Sequence, residues 1–169
     1  MSGLLCIMDN SDIREKVRQL FADYMKVNGH RKTPERFAIL DAIYSIKGHF
    51  DVDELYYLVV EKGKFRVSTA TMYNTLNLLV EAKLIIRHNF GDKMTHYEAC
   101  YNMVPHHHLI CMTCGAVTDF IYPELEETIH KMKTNRFQMD NYSLYVYGTC
   151  SKCSTSVRRK QTRINNKTK

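Results

Sequence analysis

Residues 51–90, DVDELYYLVVEKGKFRVSTATMYNTLNLLVEAKLIIRHNF, contain two helix starts and the approach to a hairpin in quick succession. Asp51-Val-Asp-Glu54 has the form of a capping box, which satisfies the unpaired N–H groups at a helix start. Leu55, Leu58 and Val59 then give an apolar face that stops near Gly63. Ser68 is placed to cap the next helix, which carries Tyr73, Leu76, Leu79 and Val80. Leu84–Phe90 and Met94–Cys100 read as two strands around a Gly91-Asp92-Lys93 turn. Tandem helices followed by a hairpin form the pattern of a helix-turn-helix with a wing.

Upstream, Ile13, Val17, Leu20, Phe21 and Tyr24 share one helical face, with Gly29 as a stop. Thr33-Pro34 offers an N-cap followed by proline at the first helical position, and Phe37, Leu40, Ile43 and Tyr44 lead to a second stop at Gly48. Residues 11–100 therefore read as a winged-helix domain, whose fourth helix would enter a major groove while the hairpin touches backbone. Ser68, Thr69, Thr71, Asn74 and Thr75 are small polar residues for its outer face. Hydroxyls can reach phosphates and an Asn amide can read adenine. A solvated helix face has the same composition, and this pattern alone favours that simpler reading.

Downstream lie two Cys-x-x-Cys knuckles, Cys111/Cys114 and Cys150/Cys153, and a His106-His107-His108 run ahead of the first. Thiolates two residues apart can take adjacent corners of a tetrahedron, and a second pair closes it with no open position, so the expected occupant is structural zinc. The intervening stretch exceeds the ~15–20 residues of a compact zinc ribbon, so the zinc should pin a distant segment back onto a small domain. Redox or disulfide use is the weaker alternative, since six cysteines in a reducing compartment favour metal. Cys6 reads as incidental. Strands are expected near His108–Cys111, Val117–Phe120 and Tyr142–Tyr147. A helix is expected from Glu124 to Arg136, with Leu125, Ile129 and Met132 on its buried face. So small a unit, residues 101–153, needs a partner subunit to complete its core. Residues 154–169 read as a basic, flexible tail.

With 169 residues and 44% hydrophobic content, the chain can bury a core as two small domains. The net charge of +6 is weak evidence for an acidic partner, because basic residues crowd into Lys152–Lys169. There is no apolar run of about 18 residues, and Met1–Met8 is too short for a signal peptide, so a cytoplasmic protein with no membrane partner is expected. Neither HExxH spacing nor a nucleophile elbow occurs, so an enzyme is not expected. A zinc-dependent hydrolase is the alternative from another class.

Four segments resemble the ferric uptake regulator family in order: Arg31-Lys-Thr-Pro-Glu-Arg36-Phe-Ala-Ile-Leu40, Gly48-His49-Phe-Asp-Val-Asp-Glu-Leu55, Val67 to Leu79, and His106 to Gly115. The resemblance spans about residues 12–153. It implies an α+β fold, with an N-terminal winged-helix DNA-binding domain and a small C-terminal α/β dimerisation domain with structural zinc. It also implies a homodimeric, metal-dependent repressor on palindromic operator DNA. Matched positions give a regulatory metal set of His49, Glu98, His106, His108 and Asp119. His106 and His108 point the same way on an extended segment and His107 the other. Such donors suit Fe(II), Mn(II) or Zn(II), and ligand type alone does not choose among them; Fe(II) is the ion that the resemblance leads one to expect. The resemblance likewise assigns Tyr73 to a thymine methyl, Asn74 to bases and Arg31 to the minor groove, with Ser68, Thr69 and Thr71 beside them. Three branches compete. Glu98 looks like the iron-sensing branch, and Asn74 with Asp119 the peroxide-sensing one. Cys100 falls near the sensory thiolate of zinc-uptake regulators, one residue out of the expected spacing to His106. His107 and Glu126 resemble half of an additional metal site, but Pro105 and Thr149 stand where relatives can supply histidines. Both residues are expected to face solvent.

Overall fold

Helix α1 (Asn10–Val27) places Val17, Phe21 and Met25 on one stripe, four residues apart, and all three are buried. This computed structural model describes residues 10–90, 95–101, 103–139 and 142–155. Cys6, the Gly91-Asp92-Lys93 turn with Met94, and the tail from residue 156 lie outside the described residues. The chain divides into two units between Met103 and Val104.

In the first unit, α2 (Pro34–Ile43) contributes Ile39, Leu40 and Ile43 to the core. Thr33 takes the N-cap position, but its side chain makes no capping bond. Both expected stops have a left-handed backbone, with φ +72° at Gly29 and +78° at Gly48. Helix α3 (Val52–Tyr56) starts as expected, with the Asp51 carboxylate accepting the Glu54 N–H at 2.8 Å. It continues as a π-helical stretch, Tyr57–Lys62, where the Gly63 N–H donates to the Leu58 carbonyl at 2.9 Å. A Cβ at Gly63 would lie 2.7 Å from the Val59 carbonyl oxygen, so this widened turn closes only on glycine.

Helix α4 (Thr69–Glu81) is capped by Ser68, whose Oγ accepts the Thr71 N–H at 3.1 Å. It buries Met72, Thr75, Leu76 and Leu79. One side chain differs from the sequence reading. Thr75 faces the core and satisfies its hydroxyl on the Thr71 carbonyl at 2.7 Å, while Tyr73 is 48% exposed. Thr75 lies three residues after Met72 and four before Leu79, so helical geometry carries it inward with them.

The wing pairs β1 (Ile85–Asn89) with antiparallel β2 (Thr95–Ala99), setting Ile86 opposite Glu98 and His88 opposite His96. Phe50 bridges to Tyr97 through two backbone bonds of 2.8 and 2.9 Å, and their rings stack. The segment ahead of α3 is thus tied to the edge of the wing at this single bridge. The Tyr44 hydroxyl donates to the Leu84 carbonyl at 2.7 Å and ties the end of α2 to the start of β1.

In the second unit, β3 (His107–Cys111) is central, antiparallel to β4 (Val117–Phe120) and parallel to β5 (Tyr145–Gly148). Helix α5 (Pro123–His130) stops six residues short of the expected Arg136, a residue whose φ is +59°. Leu125 and Ile129 are half-buried and Met132 is exposed, so the expected buried face is only partly covered. The physical reason is a thin core. Among the described residues of this unit, Ile110 and Cys111 are the fully buried apolar side chains, while Leu109, Val146 and Tyr147 on the sheet stay exposed. A hollow of about 330 Å³ lined by Leu109, Ala116, Thr118, Val146 and Tyr147 opens beside them.

Stability of the first unit should follow its core. Leu76→Ala, at a fully buried α4 position, should lose about 2–5 kcal/mol in urea unfolding of that unit; a loss near zero would mean that α4 does not pack as described.

Candidate functional site

The four cysteines come together because β3 ends at Cys111 and the chain turns at once. Gly115, at φ +72°, returns its N–H to the Cys111 carbonyl at 2.8 Å and sets Cys114 on the turn. Cys150 and Cys153 flank the start of the helical turn 151–155. All four sulfurs lie within 4.8 Å of one another, and Cys114 Sγ is 3.8 Å from Cys150 Sγ. Zn–S bonds of about 2.3 Å imply a tetrahedral edge of ~3.8 Å, so this donor set fits a tetrahedral divalent ion. The described cysteines, Cys100 included, are unbridged.

The thiols differ in acidity. Backbone N–H groups, that of Cys150 foremost and then Cys114, lower Cys111 to about 6. Cys153 is pushed up to about 12 by its contacts with the Cys114 and Cys150 sulfurs. The cluster itself accommodates a thiolate at Cys111 but resists a second charge at Cys153, and a divalent cation would remove that resistance.

A second group of donors lies in the first unit. The Phe50–Tyr97 bridge carries His49 alongside Glu98, and His49 Nε2 is 3.3 Å from Glu98 Oε2. His88, which carries no motif signal in the sequence, joins them. Its Nε2 is 3.4 Å from the same oxygen, on a ring with 2% of its surface exposed. Glu98 is itself 3% exposed. His88 and Glu98 are diagonal neighbours on one face of the hairpin, a relation that period-two alternation gives only once the register is known.

In the second unit, His106 and His108 stack with ring centroids 5.0 Å apart, and His108 pairs in register with Asp119. One nitrogen or oxygen from each of these three residues lies within 4.8 Å of the others, so this second donor set also has the chemistry for a divalent ion. His107 points the other way but not to solvent. It is 1% exposed, against Phe120 and Tyr142, with Nε2 3.6 Å from Glu126 Oε1. The expectation that His107 and Glu126 face solvent is therefore corrected: α5 and the approach to β5 cover that face of the sheet. Cys100 donates its thiol proton to the Lys83 carbonyl at 3.3 Å, and burial, followed by the Glu98 charge, pushes it up to about 11.

On the outer face of the first unit, Thr69, Tyr73 and Asn74 are exposed along the N-terminal half of α4, and Arg31 is exposed ahead of α2. Ser68 and Thr71 spend their hydroxyls on each other and on the cap, 2.9 Å apart. Their first role is to start the helix.

Residues 27–147 match the model of the ferric uptake regulator family. The chain is 33% identical over 132 residues to the peroxide operon regulator of Bacillus subtilis, covering 77% of this chain and 88% of that protein. It is 31% identical over 138 residues to the ferric uptake regulation protein of Neisseria meningitidis, covering 80% and 94%. The solved structure of the ferric uptake regulator from Pseudomonas aeruginosa with manganese superposes with a TM-score of 0.65 at 25% identity, over 77% of this chain and 97% of that one.

The acidity of Cys111 sets a pH break for metal capture at the four thiols. Above about 6 this group is already a thiolate, and below it the incoming ion must displace one more proton. Competition titrations with Co(II), read by its thiolate absorption, should show affinity falling by up to one more power of ten per pH unit below about 6 than above. A slope unchanged across that point would contradict the assignment of the low value to Cys111.

Proposed function

Because the chain belongs to the ferric uptake regulator family, whose members are dimeric, metal-responsive transcriptional regulators, we propose that it is a repressor that binds palindromic operator DNA as a homodimer when Fe(II) is bound. Zinc at Cys111, Cys114, Cys150 and Cys153 is structural in this reading. The regulatory set is His49, Glu98, His106, His108 and Asp119. The observation that carries it is the buried Glu98 carboxylate in the wing, with His49 beside it at the foot of the helix-turn-helix. A cation bound there neutralises that carboxylate and acts directly on the DNA-reading module.

The matched motif positions draw the remaining donors, His106, His108 and Asp119, from the second unit. A set divided in this way biases the orientation of the reading head, and ligand binding shifts the population toward the DNA-competent arrangement. Moving that population from mostly inactive to mostly active takes up to about 5.5 kcal/mol of preference. The thin core and exposed sheet residues of the second unit support a dimer contact there, which would set two α4 helices on two half-sites. Tyr73 and Asn74 then face bases, Arg31 the minor groove, and Thr69 the backbone. No described helix is long and apolar enough to cross a membrane, in keeping with a regulator that meets DNA in the cytoplasm.

Asp119 and Asn74 favour a second reading, a peroxide sensor whose bound Fe(II) leads to oxidation of a ligand histidine. The zinc-uptake reading is weaker, because the Cys100 thiol is already donating to Lys83. Operator binding should be titrated anaerobically with Fe(II), Mn(II) and Zn(II), and peroxide then added to the iron form. A response to iron without loss on peroxide supports the iron regulator, and oxidation of His49, His106 or His108 supports the peroxide sensor. Indifference to all three ions would remove the regulatory reading.

Two substitutions separate the parts. His106→Ala should leave the dimer and the thiol-bound zinc intact while abolishing metal-stimulated operator binding in a fluorescence-anisotropy assay. Asn74→Arg should change the preferred operator in a binding selection, since a base contact discriminates by ~1–3 kcal/mol. An unchanged motif would remove Asn74 from the readers.

A further inference from the structure

We infer that the winged-helix unit carries a three-donor cation site of its own, formed by His49, His88 and Glu98, in which His88 is a direct ligand. The inference rests on the metal-dependent reading above and adds to it a residue that the family resemblance did not supply.

Two imidazole nitrogens converge on one carboxylate oxygen, His49 Nε2 at 3.3 Å and His88 Nε2 at 3.4 Å from Glu98 Oε2. These separations match the edge of a coordination polyhedron: with metal–nitrogen and metal–oxygen bonds of about 2.0–2.1 Å, a tetrahedral edge is ~3.4 Å. The donor offered by each of the three residues lies within 4.8 Å of the other two. His88 is fixed from two sides, its ring stacked on Phe90 at 5.2 Å and meeting the His49 ring edge-on at 5.2 Å. Packing alone would be served by an apolar ring, whereas burying an imidazole against a buried carboxylate carries a desolvation cost that a shared cation would offset.

Two histidines and one carboxylate are a donor set that suits a divalent ion such as Fe(II) or Zn(II), and three donors leave room for further ones. The first unit can therefore hold a divalent ion before any donor from the second unit joins. His88 also makes the shell richer in nitrogen than the motif-derived ligands alone, which bears on the choice of metal.

The test uses the full chain with zinc held at the four cysteines, and Co(II) as the probe. The His106→Ala/His108→Ala double variant should still bind one Co(II), at least about tenfold more weakly than wild type, and adding His88→Gln should abolish that binding. Loss of affinity alone does not separate a ligand from a positioning residue, since either can cost about 10–100-fold. In wild-type protein with ¹⁵N-labelled histidine, the His88 ring should therefore show the large contact shift of a nitrogen bonded to Co(II), a readout that needs no substitution at a buried site. No Co(II) binding in the double variant, or a His88 ring with only small through-space shifts, would overturn this inference and leave the regulatory reading standing. Failure of wild type to bind any Co(II) outside the cysteines would overturn both.

Discussion

A carboxylate almost without solvent, Glu98, sits in the wing, and the start of the helix-turn-helix is tied to it through His49. Burying Glu98 uncompensated would cost several kcal/mol, and the imidazoles of His49 and His88 lie beside it at 3.3 and 3.4 Å. His49 reaches Glu98 because Phe50 bridges to Tyr97, and Asp51, next along the chain, caps α3. One three-residue segment thus joins a partner of the carboxylate, the bridge to the wing and the first cap of the helix-turn-helix. In the proposed reading, a change in charge beside Glu98 would act on the segment that leads into the helix-turn-helix.

The second unit is held by different means. Its sheet leaves Leu109, Val146 and Tyr147 in solvent, and α5 buries none of its side chains completely. Small cores of this kind depend on staples. A divalent ion at the four thiols would provide one, joining the end of β3 to the chain beyond β5, and the exposed sheet residues would offer apolar area to another subunit.

Much of this was legible in the sequence where the determinants are local. The Asp51 and Ser68 caps, the glycine stops and the thiol knuckles depend on residues a few positions apart, and each has its expected place. Misplaced residues depended on distant packing. Thr75 is polar and was read as outward, yet it lies on the stripe of Met72 and Leu79. The alternation of His106, His107 and His108 was legible, but which side is covered depends on α5 and Tyr142, so the burial of His107 was not. His88 was hidden because a one-residue change in hairpin register would move it to the opposite face. Helix α5 ends at His130 rather than Arg136, and among the described residues nothing buries the Met132 end of the expected face.

Membership of the ferric uptake regulator family and the geometry of the wing lead to one claim, that metal and operator are energetically coupled through the reading head. Coupling between two ligands is reciprocal by thermodynamic necessity. The most direct measurement is a closed cycle: operator affinity with and without saturating Fe(II), and Fe(II) affinity with and without saturating operator, all anaerobic and at one salt concentration. The account predicts that each ligand tightens the other by the same factor, well above one. A factor of one on both arms would contradict it.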